Sequence, residues 1–302
     1  MTQTVTRTVS CSATAPTDFD AVRTVIRREL VTRFLNRSIV VSTVVLGALA
    51  GLGAGVGGWF LVDRFGGTGT LALDTQFLVA TAMISALLAA LIYSSQSLAS
   101  GVVEEKSSRL VEILLTKIGV TPLLAGKLIG VGLVTLGQLL VIGGAALTSF
   151  TVVGGWSVLD IELGANLLWF LVWFLLGFGS FATLSTLLAS MVSRHADLGT
   201  ALTPLVVSQL VLWVVALYLV PQYLASTWIQ VLSFVPLLSS YLMPMRFALD
   251  GVHTLEMVIA ALIAAVTVPL LFRFTTTIYR KNALRTGSLV AMREPSTADE
   301  TA

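Results

Sequence analysis

The sequence predicts an all-α integral membrane protein with six transmembrane helices, and three observations predict it. Of 302 residues, 56% are hydrophobic and only 11% charged, with a mean hydropathy of +0.91. A soluble chain carries roughly 25% charged residues, and a single core stops growing near ~250–300 residues, too small to hide this much apolar surface. Six segments are each long enough to cross ~30 Å of hydrocarbon, which takes about 20 mostly apolar residues. None shows the period-two alternation of a membrane β-strand. A soluble enzyme, a disordered chain and a nucleic-acid binder are excluded. The single cysteine, Cys11, permits no intrachain disulfide and no cysteine-based metal site.

The elements follow in order. Residues 1–17 are rich in Thr and Ser and read as disordered. Residues 18–38 read as a cytoplasmic interfacial helix, because Phe19, Val22, Ile26, Leu30 and Phe34 recur at helical spacing with arginines opposite. The N-terminal region is too polar, and the first apolar run too long, for a cleaved signal peptide. The transmembrane domain, 39–278, holds spans at 39–62, 76–101, 128–153, 165–191, 198–220 and 256–278. The short turn at 193–197 forces the fourth and fifth into an antiparallel hairpin. The tail covers 279–302.

Orientation follows from Lys and Arg. Sixteen of the eighteen fall on the side of the two termini and the second-to-third connection; only Arg64 and Arg246 fall on the other. Both termini are therefore expected in the cytoplasm, in a plasma or inner membrane, with a bacterial origin.

The spans carry almost no ionisable residues. Proton-coupled carriers keep such groups at mid-membrane, where they carry the coupled charge. A sodium-coupled carrier is less strongly disfavoured, since carbonyls of broken helices can serve. Energy for uphill transport is thus expected to enter from outside the bilayer. Ser94, Ser95, Gln96 and Ser97 in the second span, and Ser208 and Gln209 in the fifth, are candidate pathway-lining residues; they could equally bond neighbouring helices, as could Gln138. Gly47, Gly51 and Gly55 form a ladder, with Gly53 and Gly57 in a second register, suited to close packing within the chain or between copies.

The connection at 102–127 is the least ordinary stretch. Glu105 and Arg109 stand four apart, Arg109 and Glu112 three apart, and such pairs stabilise a short helix. Leu110, Ile113 and Leu114 give that helix an apolar face before Gly119 and Pro122 break it. A solvated salt-bridged loop would look similar; so would a surface gripped by a peripheral subunit. On the outer side, residues 221–255 are too broken by Pro221, Pro236 and Pro244 for a span, yet too apolar for an open loop. Irregular backbone at membrane depth survives only under cover of protein or a water-filled cavity. Two short helices dipping into the outer leaflet are expected, with Arg246 paired to Asp250.

The run VVEEKSSRLVEILLTKIGVTPLLAGK (102–127) resembles the cytoplasmic segment of ABC transporter permeases of the ABC-2 type, in the NatB-like sodium or drug exporter branch. SFVPLLSSYLMPMRFALDG (233–251) resembles that branch's extracellular re-entrant region, and IYRKNALRTG (278–287) its tail. The resemblance runs in order over roughly residues 20–290. Many relatives carry a large extracellular domain between the first two spans; here residues 63–75 are a short loop. The resemblance implies a permease subunit that dimerises, with itself or a paralogous permease, and docks two ATP-binding subunits. Glu104, Glu105, Lys106, Arg109 and Glu112 would then lie on or beside a coupling helix, and Pro236, Pro244, Arg246 and Asp250 would belong to the re-entrant region. It further implies export of a drug, antibiotic, lipid or sodium.

This chain is expected to bind no cofactor of its own, with ATP and Mg on the partner ATPase. Its nearest approach to a phosphate loop, Gly119…Gly126-Lys127-Leu128, has six residues between the glycines and no Ser or Thr after the lysine. The charge-free interior favours an amphipathic or hydrophobic cargo over a bare ion. Two alternatives remain. One is a self-contained secondary carrier or channel. The other is a CAAX-type intramembrane protease, suggested by Glu104-Glu105…Arg109, although His195 and His253 do not fit its histidine patterns.

Overall fold

The computed structural model describes residues 18–34, 36–65, 72–107, 119–154, 163–192, 194–249 and 251–291. Every element among them is a helix: α1 (Asp18–Phe34), α2 (Arg37–Phe65), α3 (Ala72–Ser107), α4 (Val120–Val152), α5 (Leu163–Met191), α6 (His195–Gln222), α7 (Thr227–Ser233), α8 (Pro236–Ala248) and α9 (Thr254–Ala291). Six are long and apolar enough to cross a membrane, over Ile39–Gly57, Phe77–Lys106, Val120–Val152, Gly164–Met191, His195–Gln222 and Thr254–Lys281.

Three helices outrun the predicted spans by six or more residues, and α9 does so most, running to Ala291 instead of 278. α3 stays helical through Glu104, Glu105 and Lys106 to Ser107, and α4 begins at Val120 instead of 128. Gly119 caps α4 in an extended conformation, and Pro122 sits in the first turn, where a missing N–H costs nothing. Pro122 therefore opens a helix where the sequence suggested a break. With 36 residues, α3 is about 54 Å long against ~30 Å of hydrocarbon. The charged end of α3, Glu104 to Lys106, meets the start of α4 and forms with it a short helical stalk.

α1 packs on that stalk. The inward face is Ala21, Val25 and Glu29; Val22, Ile26 and Leu30 flank it half-buried, and Phe19 is 78% exposed. The predicted apolar stripe is thus the edge of the docking face, because α4 decides the contact. It presents Gly126 and Gly130, and a Cβ on them would stand 2.8 Å from Val25 Cβ and 2.8 Å from Glu29 Cβ. Only small residues let the two backbones approach so closely. The contacts advance together, Val25 on Gly126 and then Glu29 on Gly130, so α1 runs alongside α4 in the same direction. α2 continues along the same helix. Gly47 lies against Val141, Gly51 against Ser149 and the Ala145 carbonyl, and Gln138 Nε2 donates to Thr43 Oγ1 at 2.9 Å. The first glycine ladder therefore serves packing within the chain, while Gly53 and Gly57 face open space. Gly126→Val is expected to lever α1 off α4 at a cost of about 1–3 kcal/mol. Hydrogen exchange should report it as lost protection over 18–34, with α5 unchanged.

The core gathers around α5, where Trp173, Phe174 and Phe181 are fully buried. α7 and α8 form a hairpin between α6 and α9. Phe247 of α8 meets Trp169 of α5 near the far end of the bundle, with ring centroids 6.2 Å apart. Deeper in, Ser240 lies against Gly177, and Tyr241 meets Phe181 at 6.1 Å. α8 thus starts abreast of the middle of α5 and climbs back to its first turns. Pro236 at its first position is pre-set for a helix start.

Candidate functional site

Five charged side chains meet where α1, α3 and α4 come together at the stalk. Lys127 of α4, 2% exposed, donates to Glu105 Oε2 of α3 at 2.8 Å. Arg28 of α1 donates to the other oxygen of the same carboxylate. Glu29 accepts from Arg33 Nε at 2.9 Å and lies 3.7 Å from Arg28. Arg33 in turn donates to Ser97 Oγ and, at 3.3 Å, to the Ser97 carbonyl. A buried ion is tolerated only when it is paired and its hydrogen bonds are met. Lys127 fulfils that condition through Glu105, at closest approach to Gly101, where an added Cβ would stand 3.0 Å from Nζ. Lys106 reaches instead across to the end of α5, donating to the carbonyls of Ser190 at 2.9 Å and Val192 at 3.2 Å. A cation there satisfies carbonyls that a helix end leaves without intrahelical donors.

The residues singled out in the connection therefore part company. Glu105 and Lys106 turn inward and hold helices together, while Glu104 faces outward. Arg109 and Glu112, and with them the expected Glu105–Arg109 and Arg109–Glu112 pairs, lie outside the described residues. Arg28, Glu29, Arg33 and Lys127 are the partners that sequence spacing did not assign. Lys127 had a signal: it is a cation that α4 carries about two turns inside an apolar helix start.

The polar residues of the spans also divide. Ser94 and Ser95 are buried, and Ser94 donates back to the Leu91 carbonyl. Ser97 holds Arg33, whereas Gln96 and Ser208 are exposed. Gln209 is fully buried at mid-bundle, where its Oε1 accepts from the Tyr241 hydroxyl at 3.3 Å. Gln209 Nε2, Ser95 Oγ and Ser240 Oγ are buried without hydrogen-bond partners among the described residues. Gln209→Leu would orphan the Tyr241 hydroxyl, at about 1–3 kcal/mol. Adding Tyr241→Phe removes the orphan, so the double variant should recover most of the thermal stability that Gln209→Leu loses in detergent.

At the far end, Arg246 is 1% exposed. It donates to Ser233 Oγ of α7 at 2.6 Å and to the Gly251 carbonyl at 3.1 Å, and its carboxylate partner is Glu256 of α9 at 3.4 Å. The expected partner Asp250 lies outside the described residues. Glu256 stands ten residues from Arg246, beyond the reach of helical spacing, and the first turn of α9 places it beside the loop. Pro236 opens α8 and Pro244 sits inside it.

The sequence profile described as ABC-2 family transporter protein matches residues 70–275. The chain belongs to the ABC-2 transporter family. No curated relative matches it. Membership covers α3 to most of α9, and with six apolar helices it makes this ABC-2 permease a multi-pass membrane protein whose role is transport. α1 and α2 precede the matched region, so the charge cluster joins an N-terminal helix to the family's own domain.

Proposed function

We propose that the chain is the membrane half of an ATP-driven exporter, assembled as a homodimer or with a paralogous permease and served by two soluble ATP-binding subunits. ATP and Mg would be held by those subunits. The observation that carries this reading is the placement of Glu105 and Lys127. They flank the 108–118 connection, one near the end of α3 and one about two turns into α4. A subunit gripping that connection would move both, and the shared ion pairs would pass the movement to α1 as a unit. Glu105 is held by two cations, which also makes it a poor base for activating water and weakens the protease reading. The α7–α8 hairpin would re-enter the outer leaflet and cap the pathway. The charge-free spans favour an amphipathic cargo.

Affinity purification from native membranes in mild detergent tests the assembly. A soluble ATP-binding protein is expected to co-purify with ATP-hydrolysing activity. A chain that purifies alone and mediates ATP-independent flux in vesicles would favour the carrier.

A further inference from the structure

We propose that the outward face of α9, where the helix leaves the bilayer at the stalk end, holds an anionic phospholipid. α9 has two unlike sides. Thr275 and Tyr279 are buried against the bundle. The opposite side presents Val266, Leu270 and Phe274, 63%, 59% and 58% exposed. Arg273, Arg280 and Lys281 continue that stripe and are also exposed, since steps of three, four, seven and eight residues return to one helix face. From Met257 to Ala291 the helix carries no Asp or Glu. None of the three cations has an ion-pair partner among the described residues. An apolar strip that turns basic along one line suits a molecule with acyl chains at one end and a negative charge at the other.

The depth fits a headgroup. Counted from Met257, about 20 residues cross ~30 Å of hydrocarbon and bring its edge to about residue 277. Arg280 and Lys281 follow within one turn, about 5–6 Å further, inside a headgroup layer about 5–8 Å deep. Arg273 lies just inside the edge, and its long stem lets the guanidinium reach out to the same layer. Arg273 from one side and Arg280 from the other thus converge on one phosphate, which arginine grips with paired hydrogen bonds. Other occupants fit less well. Residues 292–302 offer Glu294, Asp299 and Glu300 but no large apolar side chain except Met292 to cover Leu270 and Phe274. A second copy or another protein would have to bring both carboxylates and apolar cover to this depth. An anionic phospholipid supplies both in one molecule, whereas a zwitterionic one carries its own cation beside the phosphate.

The test offers the delipidated full-length permease phosphatidylglycerol, phosphatidylcholine or inorganic phosphate in detergent. Bound lipid is counted by native mass spectrometry and stability is read from the melting temperature. Phosphatidylglycerol is expected to be retained in preference to phosphatidylcholine and to raise the melting temperature; inorganic phosphate should not raise it. Arg280→Gln/Lys281→Gln should weaken retention of phosphatidylglycerol about thirtyfold, at about fivefold per cation. Arg23→Gln/Arg27→Gln removes the same charge from exposed positions on α1 and should leave retention unchanged. Arg27 precedes the span at Ile39 by twelve residues, about 18 Å, too far for the headgroup layer. Independently of any charge change, benzoylphenylalanine at position 277 should capture lipid in native membranes. Equal retention of the two lipids would overturn the proposal, as would an equal melting shift with inorganic phosphate or undiminished retention by the α9 variant. An equal loss in the α1 variant would mean that retention follows net charge and would overturn it too. So would capture from position 277 of a second copy of the chain, of residues 292–302 or of no lipid at all.

Discussion

Glu105→Ala is expected to be the most damaging single substitution on the stalk. It removes the carboxylate that Lys127 meets at 2.8 Å, and Lys127 is only 2% exposed. Breaking a buried pair by deleting one partner costs about 3–5 kcal/mol, because a charge is left without compensation. Arg28 loses one carboxylate but keeps Glu29 at 3.7 Å, and at 42% side-chain exposure it can also turn to water. The cost should therefore fall mainly on Lys127. Lys127→Met on top of Glu105→Ala removes the stranded charge, so the double variant should melt well above the single Glu105→Ala. Such non-additivity is the signature of two groups in direct contact. Additive melting temperatures in detergent would mean that the two side chains do not depend on each other.

The second large effect is expected at Arg246. Arg246→Ala empties a fully buried site and orphans the Gly251 carbonyl, while Ser233 Oγ keeps its bond to the Gln230 carbonyl. Lost packing and one unmet buried acceptor together predict about 3–5 kcal/mol. The damage should stay local, since α7 packs chiefly on α8. Glu256→Gln should cost less, because glutamine keeps an acceptor for Arg246 and water reaches a side chain that is 37% exposed. Limited proteolysis checks the pair: Arg246→Ala should open cleavage between 222 and 236, and Glu256→Gln should not. Equal protection in both variants would mean that the hairpin is held by its apolar contacts alone.

The six apolar helices were legible in the sequence because a bilayer demands length and hydropathy, and both are properties of contiguous residues. The two short helices of the α7–α8 hairpin were legible only in part: Pro236 opens α8, whereas Pro221 and Pro244 lie inside α6 and α8 and break neither. Side-chain partnership was not. Glu105 stands 77 residues from Arg28, and its four-apart neighbour Arg109 was the only partner that local spacing could offer. The stripe on α1 misled for a complementary reason. Amphipathic spacing identifies the apolar side of a helix, but Gly126 and Gly130 on another helix chose Val25 and Glu29 as the contact. The Gly47–Gly51–Gly55 ladder could be read as a close-packing face, yet its partner α4 became visible only through Ser149 and Ala145.

Inside-out vesicles test most directly the proposal that ATP hydrolysis drives a cargo through this permease. The permease and its co-purified ATP-binding subunit would be reconstituted together, and uptake followed for a panel of amphipathic fluorescent drugs, labelled lipids and sodium. Uptake of at least one amphipathic compound is predicted with ATP, none with a non-hydrolysable analogue, and none from vesicles holding the permease alone. Uptake that proceeds equally without ATP and without the second subunit would contradict the account and identify a gradient-driven carrier.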